Sequence, residues 1–183
     1  MTRAIYVIGA PGVGKSTATW GAFPAAPGAP FWSPEGYPMV KLTGCQGGVL
    51  QLGKYRPAFP GTDALGMAVV TQATSWVANT PPNELPSVLV GEGARLANLR
   101  FLGALHRRGD VYLTVVHLTA ADRSLATRRS GRTQNASWVK GATTRAYNLA
   151  AELRTQGFEV MAWDTTDADP LYAVDALKRA VDW

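Results

Sequence analysis

The chain has 183 residues, a net charge of +5, 46% hydrophobic residues and 17% charged residues, a composition typical of one globular domain with a substantial core. This length excludes large motors and multidomain ATPases, and no apolar run approaches the roughly 18 residues that a membrane span needs. The first residues do not resemble a cleavable apolar leader, and the single cysteine, Cys45, excludes an internal disulfide. We therefore expect a cytoplasmic protein without a membrane partner.

The first predicted element is a short apolar strand, residues 4–8, followed at once by a glycine-rich stretch that fits G-x-x-x-x-G-K-[ST]. Such a stretch points several backbone N–H groups at one small volume, where the N-terminus of the next helix adds positive potential. We therefore predict that it binds ATP, with Lys15 on the β/γ-phosphates and Ser16 on Mg²⁺. The predicted ATP-binding residues are Gly9, Ala10, Pro11, Gly12, Val13, Gly14, Lys15, Ser16 and Thr17.

The stretch after the first helix, residues 23–38, is rich in Pro, Gly and Ala and is predicted to be a loop. Glu35 lies in this loop and could reach the substrate if the loop folds over the site. Residues 40–42 and 49–52 are predicted to be short strands, or a hairpin, near the edge of the sheet.

Asp63 follows a Pro-Gly turn at residues 60–61. Thr62 is predicted to be the N-cap of a helix that passes through Trp76 and ends before the two prolines at 81–82. Asp63 then has two open interpretations. It either stabilises the first turn of that helix, or it accepts hydrogen bonds from substrate hydroxyls or base N–H groups and acts as a general base.

Glu92 directly follows a predicted buried strand, residues 88–90. Because right-handed crossovers place the carboxyl ends of parallel strands at one rim, Glu92 is expected at the ligand crevice. There it either holds the water shell of Mg²⁺ or accepts the proton of the substrate. The usual acid at this position is an aspartate that closes the strand. Because Gly91-Glu92 departs from this pattern, it stays open whether Glu92 binds the metal ion or acts as the general base. A helix-start carboxylate is the simpler alternative.

A helix is predicted from Arg95 to about residue 108, then a strand over residues 111–116. Residues 119–122, Thr-Ala-Ala-Asp, have the form of a capping box that begins the next helix. His106 and His117 are interpreted as structural residues and not as a metal pair.

The positive charge is concentrated between residues 123 and 145, which contain six cations and no carboxylate, whereas the rest of the chain has 12 cations and 13 acids. A local cationic patch favours a clamp on phosphates over a surface that coats DNA. Within it, residues 128–137 are predicted to be a mobile lid that brings positive charge to the transferred phosphoryl group and excludes water. Its predicted catalytic and ATP-binding residues are Arg128, Arg129 and Arg132.

The last predicted elements are a helix from about Trp138 to Thr155 that stops at Gly157, a strand over residues 159–162, and a helix introduced by Pro170. The alternation of strands and helices predicts an α/β fold in a single domain spanning residues 1–183: a mainly parallel five-stranded sheet with helices on both faces.

The chain resembles the P-loop kinase family that includes nucleoside and nucleoside monophosphate kinases. The phosphate loop, Glu92 after the third strand and the arginines of the predicted lid are the features that it shares. The resemblance implies a three-layer P-loop NTPase fold, a substrate-side role for Arg95 and adenine packing at Trp163-Asp164-Thr165-Thr166. Residues 61–65, 91–98 and 134–140 also look like those of small bacteriophage-encoded kinase-like proteins.

The acceptor of the phosphoryl group stays open because the chain has no D-R-[YFH] or E-R-S tripeptide of well-characterised nucleotide kinases. The leading expectation is transfer from ATP to a nucleoside or nucleoside monophosphate, by a monomer or homodimer. A second is transfer to a hydroxyl on DNA, such as a hydroxymethylated base or a strand end, with base stacking on aromatic residues. The third is a nucleotide-switch ATPase. A GTPase is disfavoured because no N-K-x-D motif follows any strand.

Overall fold

A computed structural model describes residues 1–23, 48–53, 61–66, 68–122, 124–125, 135–167 and 170–181. Its centre is one sheet of five strands in the order β2-β3-β1-β4-β5, and every neighbouring pair is parallel. The strands are β1 (Thr2–Gly9), β2 (Val49–Gln51), β3 (Val88–Glu92), β4 (Val111–Thr119) and β5 (Glu159–Asp164). The predicted five-stranded parallel α/β sheet is therefore confirmed.

Helices cover both faces of the sheet. They are α1 (Lys15–Ala22), α2 (Val69–Asn79), α3 (Leu99–His106), α4 (Ala136–Thr155) and α5 (Pro170–Val181), with a short 3₁₀ turn at Thr62–Ala64. One core lies between the sheet and α2, α3 and α4, and the other between the sheet and α1 and α5. Successive residues of β1 alternate between the two cores, Tyr6 and Ile8 into the first and Ile5 and Val7 into the second. This is the expected three-layer arrangement.

The start of the phosphate loop is fixed by close packing at the end of β1. Gly9 lies beside Leu118 of β4 and has a φ of +148°. A Cβ atom at this position would lie 2.4 Å from the carbonyl oxygen of Leu118. Only glycine therefore allows the chain to leave the sheet here and turn into the loop.

The helix predicted from Thr62 is wrong at its start. Thr62 begins the 3₁₀ turn, which ends at Ala64 and is followed by Leu65 with an extended backbone, and α2 begins only at Val69. The hydroxyl of Thr62 does not cap a helix, since it is buried and lies 3.0 Å from the hydroxyl of Tyr6. A tertiary hydrogen bond has replaced the expected local one.

The helix predicted from Arg95 is also wrong at its start, because residues 93–98 form a loop and α3 begins at Leu99. The side chain of Asn98 accepts a hydrogen bond from the backbone N–H of Phe101 and so provides the N-cap. The capping box predicted at Thr119 is wrong as well. Strand β4 continues to Thr119, which pairs with Asp164 of β5, and the chain becomes helical only at Asp122.

The remaining boundaries differ by a few residues. His117 lies inside β4 and not at its end. Helix α4 begins at Ala136, because the side chain of Asn135 caps its N-terminus, and it ends at Thr155 as predicted. Val49–Gln51 is an edge strand that runs parallel to β3. The loop predicted over residues 23–38 and the strand predicted over residues 40–42 lie almost wholly outside the described residues. None of the described helices is long and apolar enough to cross a membrane.

Candidate active site

The phosphate loop connects β1 to α1 at the rim formed by the carboxyl ends of the strands. Gly12 and Gly14 have positive φ angles of 81° and 98°, and the backbone N–H of Val13 donates to the carbonyl of Ala10. Helix α1 begins at Lys15 immediately afterwards. The predicted ATP-binding residues from Gly9 to Thr17 are therefore brought together as a tight turn at a helix N-terminus, which is a suitable cradle for anionic phosphates.

Lys15 folds back over this loop. Its Nζ donates hydrogen bonds to the backbone carbonyls of Gly9, at 3.1 Å, and Ala10, at 3.0 Å. The ammonium group is therefore held at the mouth of the loop, against two of its backbone carbonyls. A short reorientation of a flexible side chain would move its positive charge from these carbonyls to a phosphate oxygen.

Ser16 and Glu92 form the centre of the candidate site. Glu92 is the last residue of β3 and pairs with Val7 of β1 in the sheet, so its side chain reaches the first turn of α1. The hydroxyl of Ser16 donates to Oε1 of Glu92 at 2.9 Å. A hydroxyl and a carboxylate at the loop match the one or two hard oxygen ligands that a protein usually gives to Mg²⁺ beside nucleotide phosphates.

Glu92 is a buried carboxyl group, with only 3% of its surface exposed. Burial raises the pKa of Glu92 to about 7, although the positive charge of Lys15 and the hydrogen bond from Ser16 oppose this, and the negative charge of Asp63 adds to it. Two acids thus share one small region. A bound cation would relieve the cost of ionising Glu92 there, so the residues present fit a divalent metal ion beside the phosphates.

Asp63 is held next to the loop that follows β3. Its Oδ1 accepts a hydrogen bond of 2.6 Å from the backbone N–H of Ala94, two residues after Glu92. Asp63 therefore faces the site from the 3₁₀ turn and does not stabilise the first turn of α2, which begins at Val69. A carboxylate has acceptor capacity beyond one hydrogen bond, so Asp63 can also meet a substrate hydroxyl or N–H group.

Three glycines make room for this arrangement. A Cβ atom on Gly61 would lie 2.5 Å from Oε1 of Glu92, and one on Gly93 would lie 3.0 Å from the carboxyl carbon of Asp63. A Cβ atom on Gly91 would lie 2.6 Å from the ring of Tyr6. The unusual Gly91-Glu92 sequence therefore has a steric reason: the ring of Tyr6 crosses the strand at residue 91.

The other predicted site residues divide into two groups. Arg95 lies in the loop after Glu92 and is partly exposed, on the same loop that contacts Asp63. The rest, namely Glu35, Arg128, Arg129 and Arg132, lie outside the described residues, and so does the predicted lid apart from Asn135 and the start of α4.

The segment predicted to pack adenine, residues 163–166, is not wholly a loop, because β5 continues to Asp164 and only Thr165 and Thr166 follow the strand. These two residues contact the phosphate loop and its flank. The hydroxyl of Thr165 lies 3.2 Å from the carbonyl oxygen of Val13 and 3.0 Å from that of Thr119. Thr166 accepts a hydrogen bond from the backbone N–H of Ala121. The loop is thereby fixed against residues that flank the phosphate loop.

Sequence reasoning missed the contacts by which three residues shape the site: Tyr6, Thr62 and Thr165, the last of which is predicted only as part of the adenine-packing segment. The sequence predicts Tyr6 only as one residue of an apolar strand, with no role at the site, and it predicts Thr62 as a helix N-cap. The tyrosine hydroxyl inside an otherwise apolar strand was the available signal, because a buried phenol needs a polar partner. Thr165 gave no comparable signal, since its contacts span 152 residues of sequence to Val13.

Within the described residues, the remaining ionisable groups do not form a second metal centre. No group of three or more His, Cys, Asp or Glu side chains suited to a metal ion occurs in the part of the chain that the structure describes. His106 stacks on Phe158 at a ring distance of 4.1 Å, and His117 meets the ring of Tyr147 edge-on at 4.9 Å. Each histidine packs against an aromatic ring, and the two lie on different elements, α3 and β4, as expected for structural residues.

A phosphate loop after the central strand, the strand order β2-β3-β1-β4-β5 and an acid ending the adjacent strand define a P-loop NTPase. The family model described as P-loop Nucleotide Kinase3 matches residues 1–178, and the chain belongs to this family. It is therefore a kinase-type phosphotransferase, of a class that generally binds ATP with Mg²⁺. Among curated proteins, none matches the chain.

Proposed function

We propose that the protein transfers the γ-phosphoryl group of ATP to a nucleoside or nucleoside monophosphate. The observation that carries this proposal is the placement of two acids around one phosphate loop: Glu92 on the hydroxyl of Ser16, and Asp63 on the loop that follows Glu92. A nucleotide kinase needs one group on the metal–phosphate side and another on the acceptor side. The contacts of these acids support that division of roles.

On the donor side, Lys15 neutralises charge on the β/γ-phosphates while the backbone N–H groups of the loop orient them. Ser16 and Glu92 would hold Mg²⁺, directly or through its water shell. Bound there, the cation would supply positive charge that stabilises the negative charge developing on the phosphate oxygens. Glu92 is assigned to this side because its carboxylate already contacts Ser16.

On the acceptor side, Asp63 orients the attacking hydroxyl or phosphate oxygen and serves as its proton acceptor where the acceptor is a hydroxyl. Arg95 supplies positive charge from the neighbouring loop, and Glu35 binds the substrate if its own loop folds over the site. Arg128, Arg129 and Arg132 form the lid, where they stabilise the transferred group and exclude water. The adenine ring packs at residues 163–166. These assignments extend the family resemblance and are part of the proposal.

A second acceptor, a hydroxyl on DNA, is favoured by one observation. In the first half of α4, Trp138 is 47% exposed, and Lys140 and Arg145 are also exposed. This half precedes Ala150 and Leu153, the buried residues that pack α4 on the sheet. An exposed aromatic ring beside cations suits base stacking and backbone contact with a nucleic acid.

The test is transfer of labelled γ-phosphate from ATP and Mg²⁺ to a panel of nucleosides, nucleoside monophosphates, and plain or hydroxymethylated DNA. Label on a free nucleotide supports the leading proposal, and label only on DNA replaces it with the second. Release of free phosphate alone would indicate an ATPase switch. Lys15→Ala is the control for contaminating kinases, because a genuine signal must disappear with it.

A further inference from the structure

Tyr6 is a polar residue in β1, the central strand of the sheet, and it is only 1% exposed. Its ring lies in the first core, where it meets Phe101 edge-on with the ring centres 6.3 Å apart. Gly91 is its partner on β3, and a Cβ atom there would clash with the ring at 2.6 Å. The ring is therefore fixed on both sides, and its hydroxyl has one direction available.

That hydroxyl lies between the two segments that carry the acids. It donates a hydrogen bond of 2.9 Å to the carbonyl oxygen of Gly93, and it lies 3.0 Å from the hydroxyl of Thr62. Because a carbonyl can only accept, the single phenolic proton goes to Gly93, and Thr62 must donate to the phenol oxygen. Gly93 follows Glu92, and Thr62 precedes Asp63. The phenol oxygen of Tyr6 therefore connects the segment that carries Glu92 with the segment that carries Asp63.

We propose that Tyr6 is a positioning residue for the acceptor site. Its hydroxyl holds the 3₁₀ turn of Asp63 against the loop of Gly93 and Ala94, and so fixes where the Asp63 carboxylate lies relative to Glu92. The inference rests on the proposed acceptor role of Asp63. It assigns Tyr6 no contact with substrate, and it predicts that Tyr6 affects acceptor binding much more than ATP binding.

The electrostatics agree with a fixed, neutral phenol. Burial raises the pKa of Tyr6 well above its ordinary value, and the negative charges of Glu92 and Asp63 raise it further. The hydrogen bonds from Thr62 and Leu96 lower the pKa of Tyr6, but they do not offset these effects. The hydroxyl thus keeps its proton for Gly93 at any pH where the protein is studied.

The first variant is Tyr6→Phe, which removes one oxygen atom and keeps the ring between Gly91 and Phe101. We expect KM for the acceptor to rise at least about tenfold, because the hydrogen bonds to Gly93 and from Thr62 are both lost and one buried hydrogen bond alone corresponds to about that factor. KM for ATP should stay within about twofold. Thr62→Val removes the same contact from the other side and should reproduce the effect. The double variant should be no worse than the stronger single one, because both changes break one network.

Tyr112→Phe is the matched control. Its hydroxyl donates to Glu159 on an exposed part of the sheet, so its removal should leave both KM values unchanged. Unchanged acceptor KM in Tyr6→Phe and Thr62→Val would overturn the proposal while the proposed function stands. Equal rises of both KM values with a loss of stability would also overturn it, because that result indicates a general structural role.

A second readout does not depend on activity. The backbone N–H of Ala94 donates to Asp63, so its hydrogen exchange should be at least about fivefold faster in Tyr6→Phe, whereas exchange of the Ala18 N–H in α1 should not change. If the wild type phosphorylates no acceptor, the proposed function and the KM effect fail together. Faster exchange at Ala94 would then still support the positioning of Asp63 by Tyr6, and unchanged exchange would overturn it.

Discussion

Ser16 donates a hydrogen bond of 2.9 Å to Oε1 of Glu92, across 76 residues of sequence. The two residues meet because β1 and β3 are neighbours in register, with Val7 beside Glu92, and because the phosphate loop brings the chain from β1 back to this rim. The candidate metal site therefore needs both the phosphate loop, which carries Ser16, and the pairing of β1 with β3, which brings Glu92 next to it.

Lys15→Ala should reduce phosphoryl transfer by a factor of about 100 or more, because it removes the charge at the mouth of the phosphate loop. The free energy of unfolding should change by less than about 1 kcal/mol, since Lys15 is a partly exposed residue at the start of α1. Steady-state transfer assays and urea denaturation measure the two effects. Lys178→Ala, which removes an exposed cation from α5, is the control. A fully active Lys15→Ala protein would remove the basis for a phosphate site here.

Asp63→Asn should lower kcat/KM for the acceptor about tenfold or more and leave KM for ATP within about twofold. The amide oxygen can still accept the hydrogen bond from Ala94, so the change removes charge and basicity and keeps the local structure. Kinetics with each substrate varied in turn separate the effects, with the exposed Asp175→Asn on α5 as the control. If acceptor kinetics do not change, Asp63 only holds the loop.

The sequence predicted best what depends on local pattern. The phosphate loop is one continuous motif, and the strands and most helices follow from hydrophobic periodicity. The positions of Glu92 and Asp63 could be only partly predicted, because the hydrogen bond from the backbone N–H of Ala94 to Asp63 joins residues 31 positions apart and follows from no local pattern. Thr62 and Thr119 were misinterpreted for a shared reason. Each has a residue pattern typical of a helix cap, and each is engaged instead by a tertiary partner, Thr62 by Tyr6 and Thr119 by β5.

Arg132→Ala should lower kcat about tenfold or more while the Kd of ATP changes less than about threefold, if the lid stabilises the transition state more than the bound nucleotide. This prediction comes from the sequence, since Arg132 lies outside the described residues. Single-turnover rates and equilibrium ATP binding separate the two quantities. The exposed Arg179→Ala on α5 is the control for loss of a positive charge. Equal losses in rate and binding would make Arg132 a ground-state contact.

Gly61→Ala should destabilise the protein by about 2 kcal/mol or more. Gly61 has φ +69° and ψ −144°, a conformation that only glycine adopts without strain, and an added Cβ would lie 2.5 Å from Oε1 of Glu92. Gly109→Ala is the control, because a Cβ atom there meets nothing within 4 Å. Urea denaturation of both variants gives the difference. A Gly61→Ala protein as stable as Gly109→Ala would contradict the close packing of Gly61 on Glu92.

Glu92→Gln should change how stability depends on pH. Burial raises the pKa of Glu92 from 4.5 to about 7 in the folded protein, so between these values the folded state binds more protons than the unfolded state. The free energy of unfolding therefore falls as pH rises. The contribution of this group is fully present below pH 4.5 and is lost as pH rises through about 7, by about 3 kcal/mol in total.

The measurement is urea denaturation from pH 4.5 to 8 in EDTA without nucleotide, comparing Glu92→Gln with the wild type. Glutamine cannot ionise, so the variant should lose this part of the slope and gain stability relative to the wild type as pH rises. Glu84→Gln alters an exposed carboxyl group and should keep the wild-type slope. If Glu92→Gln keeps it too, Glu92 ionises in the folded protein as readily as in the unfolded chain. The carboxylate would then need no cation to be stable beside Ser16, and the burial of Glu92 would no longer favour a metal ion at this position.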